Sequence, residues 1–208
     1  QAVSVLVSEG YLRKEKGSGT YVNEPPTSTS EISPKKTIGV ITTYISDYIF
    51  PTIIRGIEKE LKADGYSLLL SSTNNDYLQE KECLDRMIEF GVDGLIVEPT
   101  KSNQYNPNLA TYVTLREHNI PIVMINATYE ELSTPSIHVD DVETGFLATK
   151  ELIDNNHQRL LLITKIDDLQ GKYRMKGFIK ACEEKEIKLS SNSIITYTTE
   201  NEVSIYDK

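Results

Sequence analysis

Tryptophan is missing altogether, and cysteine occurs only twice, methionine three times and phenylalanine four times in 208 residues. Two cysteines do not make a disulfide scaffold. Cys83 and Cys182 each fall in a helical pattern, so free thiols in a reducing cytoplasm are expected. No apolar run approaches about 18 residues, which excludes a membrane-spanning helix. The basic start, apolar stretch and small-residue cleavage site of a secretory leader are lacking too. Neither G-x-G-x-x-G nor G-x-x-x-x-G-K-[ST] occurs, so no phosphate cradle is expected. There is no G-x-S-x-G elbow for a serine nucleophile. The three histidines, His118, His138 and His157, have no second His or Cys at a metal-binding spacing. A binding protein that is not an enzyme, with no cofactor and no metal, is the expectation.

What is present is unevenly distributed. The net charge of -9 argues against coating nucleic acid along the whole length. Yet Tyr11 to Thr20 carries Arg13, Lys14 and Lys16 against Glu15 alone. Gln1 to Val7 reads as the last turns of a helix. Tyr11-Leu12-Arg13-Lys14 then starts a strand, Gly17-Ser18-Gly19-Thr20 turns the chain, and Tyr21-Val22 leads back. A helix followed by a basic hairpin with a glycine tip is the C-terminal half of a winged helix-turn-helix. A small basic reader on an acidic body is the asymmetry expected when only one end touches DNA. Pro25, Pro26 and Pro34, set among Thr, Ser and Glu, mark a linker.

Beyond it, continuously apolar runs predict strands at Thr37–Thr43, Ser67–Thr73, Gly94–Thr100, Pro121–Ala127, Ser136–Asp140, Arg159–Lys165 and Ser193–Thr199. Continuous rather than alternating apolarity is how parallel strands covered on both faces read. Helical spacing separates them, as in Ile53, Ile54, Ile57 and Leu61, or Met175, Phe178, Ile179 and Cys182. Gly65 and Gly91 stand where C-terminal caps belong. The alternation predicts an α/β fold with a parallel sheet. The expected divisions are 1–24 for the winged-helix remnant, 25–36 for the linker, 37–154 for a first lobe and 155–208 for the start of a second.

In an open parallel sheet, ligands bind outside the carboxyl ends of the strands. That rule selects Thr42, Thr43, Tyr44, Ser46, Asp47 and Tyr48, then Glu98, Thr100 and Lys101. Asn126, Asp140, Asp141, Lys165, Asp167 and Asp168 follow, with Arg174 a turn or two further. The set is rich in carboxylates, amides, hydroxyls and tyrosines, the groups that pair with sugar hydroxyls and stack on sugar C–H faces. Plainer readings stand beside it. Asp140 and Asp141 could cap the following helix, Glu98 could be a solvated loop residue, and Arg174 could be a salt-bridge partner.

VLVSEGYLRKEKGSGTYV (Val5–Val22) resembles the end of a GntR-type winged helix. That resemblance implies that Lys14, Lys16, Gly17, Ser18, Gly19 and Thr20 meet DNA. From Thr37 onward, TIGVITT, DGLIVEPT (Asp93–Thr100), HVDDVETG (His138–Gly145), NHQRLLLIT (Asn156–Thr164) and RMKGF (Arg174–Phe178) resemble the effector-binding domain of LacI/GalR regulators. These domains are similar in turn to periplasmic sugar-binding proteins. The implied fold is a periplasmic-binding-protein-like parallel sheet preceded by the winged-helix remnant. The effector contacts that the resemblance implies are Arg174, Asp140 and Thr43, with Asp141 and Thr144 departing from the family pattern; the strand-end rule adds Tyr44, Glu98 and Asn126 to the expected effector site. A GntR-type reader joined to a LacI/GalR-type sensor resembles the arabinose-responsive repressors of Gram-positive bacteria. This implies operator DNA and L-arabinose or a related sugar as partners, a homodimer, and no membrane. The family's second lobe has more strands after Thr199, so a chain truncated at both ends, binding sugar weakly or not at all and operator poorly, is expected. The alternative is a free solute-binding protein of the periplasmic type.

Overall fold

The computed structural model describes residues 2–8, 12–15, 17, 19–22 and 36–203. Residues 1–35 form one compact unit and residues 36–208 another. The expected linker, apart from Lys36, lies outside the described residues.

In the first unit, helix α1 (Ala2–Ser8) precedes strands β1 (Leu12–Glu15) and β2 (Gly19–Val22). The strands pair antiparallel, from Leu12 opposite Val22 to Glu15 opposite Gly19, in a two-stranded sheet of their own. At the tip, Gly17 and Gly19 take φ of +87° and +132°, a region closed to most side chains. The helix and the hairpin are therefore where the sequence predicts them, except that Gly19 and Thr20, expected in the turn, open β2, while Ser18 lies outside the described residues.

The second unit begins with β3 (Thr37–Thr42), α2 (Phe50–Ala63), β4 (Ser67–Ser72), α3 (Tyr77–Phe90) and β5 (Gly94–Val97). Then come α4 (Leu109–Glu117), β6 (Ile122–Ile125) and the short β7 (Ser136–Ile137). All five strands run parallel in the order β4-β3-β5-β6-β7. The order turns back on itself at β3, so the chain leaves β3 for one side and returns to the other. β5 ends sooner than the apolar run suggests, because Pro99 has no N–H to offer a ladder. Gly65 and Gly91 follow α2 and α3 with φ of +78° and +65°. The core packs Ile41, Leu95, Val97 and Met124 of the strands against Cys83, Leu84 and Met87 of α3 and Tyr112 and Leu115 of α4.

Helix α5 (Asp141–Asp154), β8 (Leu162–Lys165), α6 (Leu169–Glu184) and β9 (Ile194–Tyr197) follow, with a 3-10 turn at Thr199–Asn201. β8 and β9 pair parallel, from Leu162 opposite Ile194 to Lys165 opposite Tyr197. α5 lies along α6, so close that a Cβ on Gly177 would stand 2.1 Å from the Val142 carbonyl oxygen. The expected boundary at 154/155 therefore falls after a helix that packs on the second half of the unit. Both cysteines are buried free thiols, and burial pushes both above the ordinary thiol range.

Candidate functional site

β3 and β5 are the neighbours between which the strand order reverses, and their carboxyl ends open onto a crevice. Thr43, just past β3, and Glu98, just past β5, meet there. The Thr43 backbone N–H donates to Glu98 Oε2 at 2.9 Å, and its hydroxyl donates to the same oxygen at 2.5 Å. Asn126, just past β6 and held at φ +63°, donates its Nδ2 to Glu98 Oε1 at 3.0 Å. Three strand ends are thus tied to one buried carboxylate. Burial pushes the Glu98 carboxyl above its usual range, against the pull of the Thr43 and Asn126 hydrogen bonds.

Facing this cluster is a wall built from α5, β8 and α6. Arg174 of α6 donates from Nε to Asp141 Oδ1 at 2.8 Å. Asp141 is buried while the Arg174 side chain is half exposed, so the carboxylate anchors the guanidinium and the fork keeps its reach. Lys165, at the end of β8, pairs with Asp168 Oδ2 at 2.7 Å. Desolvation pulls the Lys165 ammonium down, but Asp168 and Asp167 more than offset it and the net shift is upward. Tyr44 and Phe50 meet edge to face at 6.1 Å between ring centres, and Tyr48 stands on the rim. The cavity measures about 420 Å³, a volume suited to a small ligand.

Of the six residues that the sequence nominates for an effector, Thr43, Tyr44, Glu98, Asn126 and Arg174 line this one cavity. Asp140 does not. Its carboxylate accepts from the Glu143 backbone N–H at 2.9 Å as the N-cap of α5, and the residue is exposed. Asp141, which departs from the family pattern, lines the cavity in its place, as does Asp168. In the strand-to-helix turn the two neighbours point different ways, and the cap consumes the first. Gln170 and Tyr197 also line the wall. Tyr197 closes β9, so the carboxyl-end rule applied to the last strand finds it. Gln170 carries no such signal, being one of many polar residues in a helix. Among the DNA-facing nominees, Lys14 lies in β1, Gly17 at the turn, and Gly19 and Thr20, both exposed, in β2. Lys16 and Ser18 lie outside the described residues. Among the described residues no three His, Cys, Asp or Glu come together as a metal would need. No helix among them is long and apolar enough to cross a membrane.

Residues 35–202 match the family of periplasmic binding proteins and sugar-binding domains of the LacI family. The chain belongs to that family. The chain is similar, at 50% identity over 200 residues, to the arabinose metabolism transcriptional repressor of Geobacillus stearothermophilus. It is 46% identical over 202 residues to the repressor of the same description from Halalkalibacterium halodurans. Each match takes in 96% of this chain and 54% of the relative, so the chain spans about half the length of the curated relatives it matches. These relatives are transcriptional regulators rather than enzymes. Among solved structures, the transcription regulator CcpA of Lactococcus lactis superposes with a TM-score of 0.70 at 23% identity, over 83% of this chain and 63% of that one. A periplasmic binding protein/LacI transcriptional regulator from Alkaliphilus metalliredigens, complexed with D-xylulofuranose, superposes with a TM-score of 0.65 at 23% identity, over 78% of this chain and 56% of that one. Both likenesses speak to the fold.

Proposed function

We propose that this chain is the sensing part of a cytoplasmic, DNA-binding repressor of arabinose-utilisation genes, with L-arabinose as the effector. The Thr43–Glu98–Asn126 cluster, opposed by the Asp141-anchored Arg174 across one cavity, carries this reading. It offers acceptors on one wall and a cationic donor on the other, with the Tyr44 and Phe50 rings beside them, as a polyhydroxylated ring requires. Relatives named as arabinose repressors favour a regulator over a solute-binding protein. Thr43, Tyr44, Glu98, Asn126, Asp141 and Arg174 are the proposed effector contacts. The residues 37–208 would form two lobes that meet at this cleft, with α5 belonging to the second. Residues 1–24 would be the end of a winged helix, in which Lys14, Lys16, Gly17, Ser18, Gly19 and Thr20 approach DNA. In the homodimer, sugar would shift the population of lobe arrangements and so the spacing of the two DNA readers. A coupling of about 1–3 kcal/mol would alter operator affinity roughly 5–150-fold.

The test is an NMR titration with L-arabinose. Saturable, weak binding is expected, and Glu98→Gln should weaken it about tenfold or more, the worth of a hydrogen bond to a charged acceptor. The sign of the pH dependence follows from burial. The raised Glu98 carboxyl takes up its proton at a pH above the ordinary glutamate range, so sugar affinity falls as pH drops through that point. Stability runs the other way. The preference of this site for a protonated carboxyl supports folding fully below the unfolded value and is lost as pH rises through the folded one. Glu98→Gln should therefore flatten the pH profile of binding without lowering the thermal midpoint at neutral pH. A sugar response unchanged in Glu98→Gln, or no response to L-arabinose at all, would refute the effector reading.

The DNA arm is tested by mobility shift in a salt series. Weak, salt-sensitive binding is expected, and charge reversal at Lys14 and Lys16 should abolish it, lowering the salt slope by about 1 for each phosphate no longer neutralised. Binding indifferent to both reversals would remove the winged-helix assignment.

A further inference from the structure

Resting on the sugar-sensing reading, we infer that Lys165 is a further ligand-contacting residue that sets specificity, and that Asn75, outside the cavity, positions it through Asp168. Lys165 lines the cavity with its side chain 19% exposed. An ammonium has three N–H donors. One goes to Asp168 at 2.7 Å, while Asp167 stands at 3.8 Å, beyond direct hydrogen bonding. A donor remains for a ligand hydroxyl, and Asp168 beside it can accept from a neighbouring one. The pair would thus read two vicinal hydroxyls at once.

A lysine on its flexible stem does not by itself impose orientation. Here the orientation comes from the opposite half of the domain. Asn75 lies in the turn between β4 and α3 and is 1% exposed. Its Nδ2 donates to Thr199 Oγ1 at 2.7 Å and reaches Asp168 Oδ1 at 3.4 Å. Its Oδ1 accepts from the Lys101 backbone N–H at 2.8 Å. Its φ is +56°, a left-handed conformation that asparagine tolerates and that these bonds over-determine. Thr199 is held in turn by Asp167, which accepts from its N–H at 2.9 Å and its hydroxyl at 2.7 Å. One buried amide therefore spans the end of β4, the loop after β5, the β8–α6 turn and the end of β9. Its contact with Asp168 fixes the carboxylate from the side away from Lys165.

The experiment compares the unmutated chain with Lys165→Met, Asn75→Ala and the double variant. L-arabinose binding is followed by NMR titration, and the Lys165 ammonium by nitrogen-15 NMR without sugar. Each single change should weaken L-arabinose binding about tenfold. The double variant should be no weaker than the worse single one, because Asn75 acts through Lys165. Without sugar, the ammonium signal should be in slow exchange in the unmutated chain and broadened in Asn75→Ala. If Asn75→Ala does not fold, Asn75→Asp keeps the oxygen that Lys101 uses and removes the Nδ2 donor, with the same readouts. Unchanged affinity in Lys165→Met, additive losses, or an ammonium indifferent to position 75 would each overturn the inference. An ammonium governed by Asn75 in a chain that binds no L-arabinose would instead sink the sugar reading, and the ligand contact with it.

Discussion

Replacing Glu80 by alanine should lower the unfolding free energy by about 4 kcal/mol or more, one of the two largest effects anticipated from a single change. Glu80 sits in the first turn of α3 with no exposed surface. Its Oε1 accepts from the hydroxyls of Tyr112 at 2.9 Å and Tyr129 at 2.6 Å. Its Oε2 accepts from Nδ2 of Asn106 at 2.7 Å and of Asn108 at 2.8 Å. Alanine would leave the Tyr112 hydroxyl and the Asn106 amide buried without an acceptor, each costing about 1–3 kcal/mol, and would take one of two acceptors from Tyr129, which keeps the Thr100 carbonyl oxygen at 3.1 Å, and from Asn108, which keeps the Tyr77 carbonyl oxygen at 2.8 Å. For a domain of this size that corresponds to a fall of roughly 10 °C in the thermal midpoint. Glutamine keeps one acceptor oxygen and should cost about half as much. Burial, with the Glu80 carboxylate beside them, holds both tyrosine hydroxyls well above their ordinary range, so they remain donors at any working pH. The consequence extends beyond stability. Tyr129 accepts from the Thr100 N–H at 2.7 Å, and the Thr100 hydroxyl donates to Thr73 at 3.0 Å. The same cluster therefore steadies the loops beside the cavity. Thermal denaturation of the Glu80→Ala and Glu80→Gln chains decides the matter, and a loss below about 1 kcal/mol in the alanine variant would contradict the arrangement.

Gly145→Ala and Gly177→Ala form the second case. A Cβ on Gly145 would lie 2.3 Å from the Arg174 carbonyl oxygen and 2.8 Å from its Cα. One on Gly177 would lie 2.1 Å from the Val142 carbonyl and 2.5 Å from the Phe146 nitrogen. All four are backbone atoms, so no side chain can swing aside and the two helices must part. The expected cost is about 1–3 kcal/mol or more for each. Separation also carries Arg174 away from Asp141, so L-arabinose binding should be lost beyond what the stability change explains. Gly56 within α2 supplies the contrast. A Cβ there meets nothing within 4 Å, and Gly56→Ala should stabilise the chain by roughly 0.5–1 kcal/mol. Equal behaviour of the three alanine variants in denaturation and sugar titration would discredit the helix-contact account.

The strands were legible because each is a short apolar run bounded by turn residues, and the α/β order follows from their alternation with helical spacing. The cavity was legible to the extent that Thr43, Glu98 and Asn126 each stand just past a strand, where the open parallel sheet presents its loops. Asp140 and Asp141 show where this reading stops. Their order along the chain does not say which one the helix cap consumes; in the fold Asp140 meets the Glu143 N–H and Asp141 meets Arg174 of α6. Glu80 shows the same limit from another side. An acidic residue in the first turn of a helix reads as a solvated charge favoured by the helix dipole. Its four partners lie 26 to 49 residues further along and leave no local mark.

By itself, then, the order of residues determined the elements, their parallel pairing and the loops that carry polar groups, since these depend on periodicity, turn chemistry and caps acting over a few positions. Only the tertiary structure decided which of those groups share a cavity, which carboxylate is buried, and that Lys165 is steadied from Asn75, far earlier in the chain. The physical reason is that burial and hydrogen-bond partnership arise between segments brought together by packing, and local spacing carries no information about that encounter.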